Sequence, residues 1–541
     1  MSDGFESVLT EFGGVVGEEN VVIDANILRQ YETATFRTDR HIPAIVRPGC
    51  VKEVQECLRL ANSHKVPVYP ISTGKNVGYG SRVPTADGCI LLELKRMDRI
   101  LDFNEDLAYV TLEPGVTQQQ LYDFLQENGS RLWMDATGSF TSHSIIGNIV
   151  ERGFGHTPYG DHFANVGGME VVLPNGDLLH TGFGRFPNAK AAGVYRWGVG
   201  PCLDGLFTQS NLGIVTNATV WLMPAPEYFQ KFFFSVERYE QISEVIDLLR
   251  PLRLDSTLRS AMHIGNDYKV LSSIQRYPWE RMGGSTPLKQ EVLAGYAKAW
   301  DFGAWNASGA LYGTRQEVAS ARKRIKRQLK SRVKKLRFLD ERSMGIVEKI
   351  QRPYYRLTGI NLPEMLKILK PVFGLTKGVP TDEMIPSTYW RKKAEVSQQM
   401  DPDRDRCGLL WLAPVAPTKG ECALEIWRMV EKTLTKYGFE PAVSITLITE
   451  RAMDCVISIS YDREIQGEDE RAQQCHDELL NFLTVAGYYP YRLGIQSMGK
   501  LPEPEMGHVR FIEAVKNALD PNACLSPGRY EAGANLLISN K

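Results

Sequence analysis

The 541-residue chain lacks the spacings that mark metal and thiol chemistry. Its nine cysteines are scattered and odd in number with no Cys-x-x-Cys, and none of its nine histidines falls in His-Glu-x-x-His. No metal is expected, and the thiols read as free and buried, as in a reducing cytoplasm. Charge of one sign is also lacking. A net charge of −1 leaves no global attraction to nucleic acid or to an anionic membrane. No apolar run is long enough to cross a bilayer. Met1-Ser-Asp-Gly-Phe-Glu-Ser7 has no basic segment followed by an apolar one, so no secretory leader is expected and a cytoplasmic location is. With 43% hydrophobic and 23% charged residues the composition is that of a soluble globular protein, and the length provides for two or more domains.

What the chain does have is four loops rich in Gly, Ser and Thr. The first, Pro70-Ile-Ser-Thr-Gly-Lys-Asn-Val-Gly-Tyr-Gly80, follows the strand-like Val66–Pro70. It has neither G-x-G-x-x-G spacing nor a closing Gly-Lys-Ser/Thr, so it is neither a Rossmann turn nor a P-loop. Gly74, Gly78 and Gly80 permit a sharp turn and close backbone approach, and Ser72, Thr73, Lys75 and Asn76 add donors around an anion-sized concavity. The second loop, Trp133–Asn148, carries Thr137, Gly138, Ser139, Ser142, Gly147 and Asn148. The third, Glu151–His162, carries Gly153, Gly155 and His156. The fourth, Leu206–Val215, ends in Gly213, Ile214 and Val215 and leads into the strand Val220–Met223.

Between the loops the pattern alternates. Val51, Val54, Leu58 and Ala61 fall at helical spacing. Thr117-Gln-Gln-Gln120 opens a helix through Glu127 with a capping box. Cys89–Leu94 and Ala108–Leu112 read as strands, and Pro174-Asn-Gly176 as a hairpin turn between two more. The fold class is therefore α+β. An N-terminal segment of 1–39 precedes a ligand-binding domain of 40–225, which Pro224-Ala-Pro226 closes. A mixed α/β second domain spans 226–490, with strands at Trp411–Pro417, Ala442–Ile448 and Cys455–Tyr461, and a terminal segment spans 491–541. The basic stretch Arg322–Arg337 places Ile325, Leu329, Val333 and Leu336 on one helical face. A membrane or nucleic-acid helix has that pattern, but a solvated helix with a buried stripe accounts for it without a partner.

The four loops, in this order, resemble the flavoproteins of the vanillyl-alcohol oxidase and 4-cresol dehydrogenase group, with their PCMH-type FAD domain. The resemblance covers residues 40–225 closely and the rest more loosely. It implies FAD held by Pro70, by the loop residues named above and by Arg529, which follows the closing motif Asp520–Gly528. It implies a second domain that covers the flavin, with the chain's end packing back on the first. A homodimer is expected, as is reoxidation by oxygen or an electron-transfer partner. Members of the group oxidise para-substituted phenols and hold the phenol oxygen with two tyrosines and an arginine. The matching residues are Tyr79, in Asn76-Val-Gly-Tyr-Gly80, and Tyr491-Arg492. A guanidinium and two phenolic donors favour the phenolate of a group whose pKa is otherwise ~10. The phenolate eases hydride loss from the para benzylic carbon, leaving a quinone methide that adds water, loses a proton or loses CO2.

Two departures bear on that fate. The group often places an aspartate in the loop after Trp-x-Asp, but residues 136–144 here contain no acid, and Asp135 matches the upstream position. Ser139 and His143 are substitutes to weigh against a capping serine and a packed histidine. Where covalent members carry the attachment histidine or tyrosine, Arg406-Cys-Gly-Leu-Leu-Trp411 offers neither, with Leu409 nearest and Cys407 as a buried thiol. FAD is expected to be noncovalent. The expected activity is benzylic oxidation of a para-substituted phenol. Oxidative decarboxylation of a para-hydroxyphenyl acid is the first alternative, sugar or hydroxy-acid oxidation another. A flavin-binding interaction protein without catalysis is the alternative from a different class.

Overall fold

The computed structural model describes residues 3–346, 349 and 362–531. The first sheet joins β1 (Val21–Val22), β2 (Ile45–Val46), β3 (Val68–Ile71) and β4 (Ile90–Glu93) in the order β1-β2-β4-β3. β2 and β3 both run parallel to β4. All four residues of β4 are buried, as a parallel strand covered on both faces requires. The helix Val51–His64 lies against this sheet through Val54, Cys57, Leu58 and Ala61. The helix Asp3–Val16 adds Val8, Phe12 and Val16 to the same cluster.

The second sheet is antiparallel. It contains β5 (Ile100–Asn104), β6 (Tyr109–Leu112), β8 (Val166–Val172), β9 (Leu178–His180) and β10 (Ile214–Trp221) in the order β5-β6-β10-β8-β9, while β7 (Leu132–Trp133) pairs with β11 (Met223–Pro224). Gly176, at φ 84°, closes the β8–β9 hairpin. The helix Gln118–Glu127 starts with the capping box read from Thr117 and Gln120. The chain's end returns to β3. Val68 N–H donates to the Cys524 carbonyl and Ser526 N–H to the Val68 carbonyl, both at 2.8 Å. Asp520 organises this return by accepting from the backbone N–H groups of Cys524 and Leu525 and pairing with Lys516 at 2.7 Å.

Beyond Pro226 an eight-stranded antiparallel sheet forms the second domain. Its strands are β12 (Tyr228–Val236), β13 (Met262–Asn266), β14 (Trp305–Gly313), β15 (Lys334–Leu339), β16 (Cys407–Leu412), β18 (Ala442–Leu447) and β19 (Ala452–Asp462), in the order β15-β12-β14-β13-β18-β19-β16. β17 (Val415–Pro417) pairs with β19 off that path. Met453, Cys455, Ile457, Ile459 and Tyr461 of β19 join the core under the helices Gln241–Leu254, Gly420–Lys436 and Glu468–Val485. By the period of two, Asp454, Val456, Ser458 and Ser460 take the opposite face. At its Asp454 end this face comes near Arg492 and Tyr79 and forms the roof of the site.

One expectation is corrected. The basic stretch 322–337 is not one helix. The helix Arg315–Leu329 buries Ile325 and Leu329 and then stops, and Lys334–Leu339 pairs with β12 as the edge strand β15. Leu336 and Phe338 alternate with charged residues, and Phe338 stacks on Phe232 at 5.7 Å. The period of two prevails over the helical one here because an edge of β12 is open to pairing, and a Lys- and Arg-rich strand suits a sheet edge.

Candidate active site

Asn76-Val-Gly-Tyr-Gly80 forms a tight turn in which the Asn76 carbonyl accepts from the N–H groups of Tyr79 (3.1 Å) and Ser81 (3.0 Å). Gly78 has φ 79°, and a Cβ there would stand 2.3 Å from Trp411 Cδ1, so its missing side chain makes room for the indole. The turn presents Tyr79, only 2% exposed, to the second domain. Tyr491-Arg492 reaches the same place along a separate route. Tyr491 N–H donates to the Ala413 carbonyl (3.1 Å) and Ile495 N–H to the Tyr79 carbonyl (3.0 Å). The Arg492 guanidinium carbon then lies 3.9 Å from the Tyr79 ring centroid and 5.5 Å from that of Tyr491. Phe154, of the third loop, packs on Tyr491 at 5.7 Å.

Tyr79 is buried, and Tyr491 and Arg492 are half-buried beside it. Burial raises the Tyr79 and Tyr491 phenols, against the pull of Arg492. Burial works against the Arg492 charge, yet the facing tyrosines hold the guanidinium above its usual value. Arg492 Nε has no partner among the described residues. The triad therefore keeps a fixed cation and two neutral hydroxyl donors, the set a phenolate needs.

The sequence reading missed Asp454. It lies in register with Thr446, which is in register with His263. Neither of its carboxyl oxygens has a partner among the described residues, and burial pushes its pKa far up despite the attraction of Arg492. The alternation Asp454, Val456, Ser458, Ser460 against an apolar odd-numbered set was the signal that this strand turns a polar face to a site.

A cleft runs away from the triad. From Arg492, which closes its triad end, one stretch is lined by Pro70, Ser72, Thr73, Gly74, Lys75, Asn76, Gly147 and Arg529. The adjoining stretch has apolar walls from Leu94, Phe207, Ile214 and Val215, together with Gly213. Lys75 stands over the Phe140 ring at 4.7 Å, facing Asp401 at 3.9 Å. Arg529 pairs with Glu151 and donates to the Tyr69 hydroxyl. At Gly147 a Cβ would meet Ser72 Oγ at 2.5 Å, so the second loop can close on the first only without a side chain there. A polar rail continuing into an apolar slot has the character a dinucleotide site needs.

Other loop residues named from sequence lie elsewhere. Asn148 accepts at Oδ1 opposite His162 Nδ1 (2.6 Å), and His162 Nε2 pairs with Asp135 (2.6 Å). Asp135 also accepts from Thr157 N–H (2.6 Å) and His156 N–H (3.2 Å), which makes it the brace of the third loop. Gly153 leaves room for Asn148 and Gly155 for Asp135. Thr137 is tied through its N–H to Gln118 (2.8 Å) and lines a separate cavity with His143 and Asn148. Ser139 and Ser142 line neither stretch of the cleft. His143 borders it, its pKa lowered to about 3 by burial and by the Arg492 charge. At Gly138 an added Cβ would lie 3.4 Å from His156 Nε2, so the acid-free loop faces an imidazole.

An FAD binding domain family matches residues 42–182. Over 527 residues the chain is 46% identical to the 1'-carboxy-chondrochloren decarboxylase of Chondromyces crocatus, covering 97% of each chain. Over 532 residues it is 33% identical to the 4-cresol dehydrogenase [hydroxylating] flavoprotein subunit of Pseudomonas putida, covering 97% of this chain and 95% of that one. The chain belongs to the vanillyl-alcohol oxidase and 4-cresol dehydrogenase family of FAD flavoproteins. A crystal structure of p-cresol methylhydroxylase with substrate bound has a TM-score of 0.87 at 31% identity, covering 99% of this chain and 98% of that chain. This family member is thus a two-domain PCMH-type FAD oxidoreductase, and the non-catalytic alternative falls away. Among the described residues no helix is long and apolar enough to cross a membrane.

Proposed function

We propose that this enzyme oxidatively decarboxylates a para-hydroxyphenyl acid: it removes a benzylic hydride, and the quinone methide so formed loses CO2. The carrying observation is the convergence of Tyr79, Tyr491 and Arg492 on one point, with an imidazole rather than a carboxylate facing the acid-free loop at Gly138. FAD bound in the cleft accepts the hydride. Arg492 and the two tyrosine hydroxyls hold the phenol oxygen and stabilise its negative charge. Asp454, which burial keeps on the neutral side, leaves the guanidinium free for the substrate instead of neutralising it. With no acid in the loop 136–144 to activate water, CO2 loss competes well against hydroxylation. The 46% identity to a decarboxylase favours the same outcome.

Carbon balance tests this reading. Holoenzyme given 3-(4-hydroxyphenyl)propanoate labelled in the carboxyl group is expected to yield 4-vinylphenol and labelled CO2. Recovery of the label in 4-hydroxycinnamate or in a benzylic alcohol would overturn decarboxylation and return the enzyme to simple benzylic oxidation.

The same reading makes FAD noncovalent. Leu409, nearest the family's attachment point, has no nucleophile, and Cys407 is sealed among Phe140, Ile385 and Tyr389 with its thiol pushed well up by burial. Acid denaturation and centrifugation should therefore leave the yellow colour in the supernatant. Colour retained in the pellet, with flavin on a peptide containing Cys407, would refute it.

A further inference from the structure

Beyond the phenol end, the roof of the site carries a second polar group. His263 lies in register with Ser308 on one side and with Thr446 on the other, and Thr446 in turn with Asp454. Two strand spacings separate His263 from Asp454, roughly 10 Å. Asp454 pairs with Val415, whose neighbour Pro414 bridges to Pro490 beside Tyr491; its carboxyl group raises Tyr79 and feels Arg492, so it marks the phenol-oxygen end. The interval to His263 is comparable to the length of a hydroxyphenyl ring with a short acid arm. His156, two residues after Phe154 on the third loop, stacks against His263 with ring centroids 4.2 Å apart.

Both imidazoles have a nitrogen with nothing to bond. His156 Nδ1 and His263 Nε2 are sealed from solvent and lack a partner among the described residues. His263 Nδ1 lies 3.1 Å from the Thr446 hydroxyl, and with that hydroxyl donating to Nδ1, Nε2–H is left as a donor. Behind the pair stands Lys231, 1% exposed, donating to the Val372 carbonyl at 2.8 Å and reaching Thr376 Oγ1 at 3.5 Å. It has no carboxylate partner among the described residues. Asp135, the acid that acts on His263, is already committed to His162 and the third-loop backbone. Burial lowers Lys231 to about 7 and His263 to about 3. A buried ammonium without an anion is costly and is retained where an anion arrives.

We infer that the His156–His263 pair, with Lys231 behind it, is the receptor for the carboxylate on the substrate's para side chain. The imidazoles contact the carboxylate and orient it, and Lys231 acts through them as a positioning charge. Such an arrangement suits a group that must leave. A direct ion pair would stabilise the bound carboxylate more than the transition state for its loss, whereas neutral donors hold it without anchoring its charge. After hydride removal the bond to the carboxylate carbon breaks, CO2 departs, and the electron pair forms the new alkene as the quinone methide returns to the phenolate. This assignment rests on the proposed decarboxylase reading.

The test is equilibrium binding to holoenzyme, followed by perturbation of the flavin spectrum. 4-Hydroxycinnamate and its primary amide serve as probes, since neither has a benzylic hydride to lose. The wild type should bind the acid more tightly than the amide by about ten- to hundredfold. His263→Leu and Lys231→Met should each bring that ratio close to one, and His263→Gln, which keeps a donor, should restore part of it. Should Lys231→Met fail to fold, the two His263 variants decide. A ratio near one in the wild type, or a high ratio untouched in His263→Leu, would overturn the subsite. Flavin reduction by neutral 4-propylphenol separates the two failures. If it proceeds while the acid preference is absent, the phenol site stands and the carboxylate receptor falls; if it does not, both readings fall.

Discussion

Arg492→Ala is expected to slow anaerobic flavin reduction by one to two decades while leaving FAD in place. The guanidinium stands 3.9 Å from the Tyr79 ring in a site where Tyr79 and Tyr491 stay protonated, so it is the fixed charge available to a developing phenolate. Hydrogen bonds to charged groups contribute about 1.5–3 kcal/mol, and each ~1.4 kcal/mol lost in the transition state costs tenfold in rate. Arg492→Lys should recover only part, because a compact ammonium cannot reproduce the two-pronged guanidinium. Tyr79→Phe and Tyr491→Phe should have smaller effects that need not add, as the three groups share one partner. A substrate whose para hydroxyl is methylated has no phenolate to stabilise and should leave the flavin oxidised. Stopped-flow absorbance reads all of these. An unchanged reduction rate in Arg492→Ala with full FAD content, or rapid reduction by the methyl ether, would remove the phenolate mechanism.

How much of this was legible in the chain follows from how local each signal is. Thr117's capping box, the Pro174-Asn-Gly176 turn and the spacing of Val54, Leu58 and Ala61 are properties of a few consecutive residues, and each element formed where it was read. The stretch 322–337 misled because Ile325, Leu329, Val333 and Leu336 satisfy a helical period, while the open edge of β12 selects the period of two beyond Leu329. Tyr79, Tyr491 and Arg492 could be named because motifs accompany them, although 411 intervening residues separate Tyr79 from its next partner only in sequence. Asp454, His263 and Lys231 sit in ordinary-looking strands. Which face of a strand meets the site depends on register with neighbours, and a shift of one residue would turn all three away. Gly78 teaches the same point, since the indole that requires it to be glycine belongs to Trp411 on another domain.

The roof itself depends on a buried ion pair, and Arg391→Met is expected to lower stability by about 3–5 kcal/mol, the cost of leaving a buried charge without its partner. Arg391 and Glu440 are 1% and 3% exposed and pair at 2.7 Å. Glu440 also accepts from Leu288 N–H at 2.8 Å, and Arg391 donates to the Gly438 carbonyl at 3.0 Å. Tyr277 flanks the guanidinium at 4.8 Å. Methionine supplies similar bulk, so the loss would come from the orphaned Glu440 rather than from a cavity. Glu440→Gln in the Arg391→Met background should therefore recover stability relative to the single variant, and the sign of that coupling separates an electrostatic cause from a packing one. Glu440 lies two residues before β18, and it borders a cavity shared with Trp390, Leu409 and Trp411. Loosening it should let Trp411 shift against Gly78 and Tyr79, so the single variant should also reduce its flavin more slowly at temperatures where it remains folded. Denaturant midpoints at saturating FAD measure the first effect and stopped flow the second. A loss below ~1 kcal/mol would mean that water or a neighbouring group satisfies Glu440 once Arg391 is gone, and that this pair does not hold the roof.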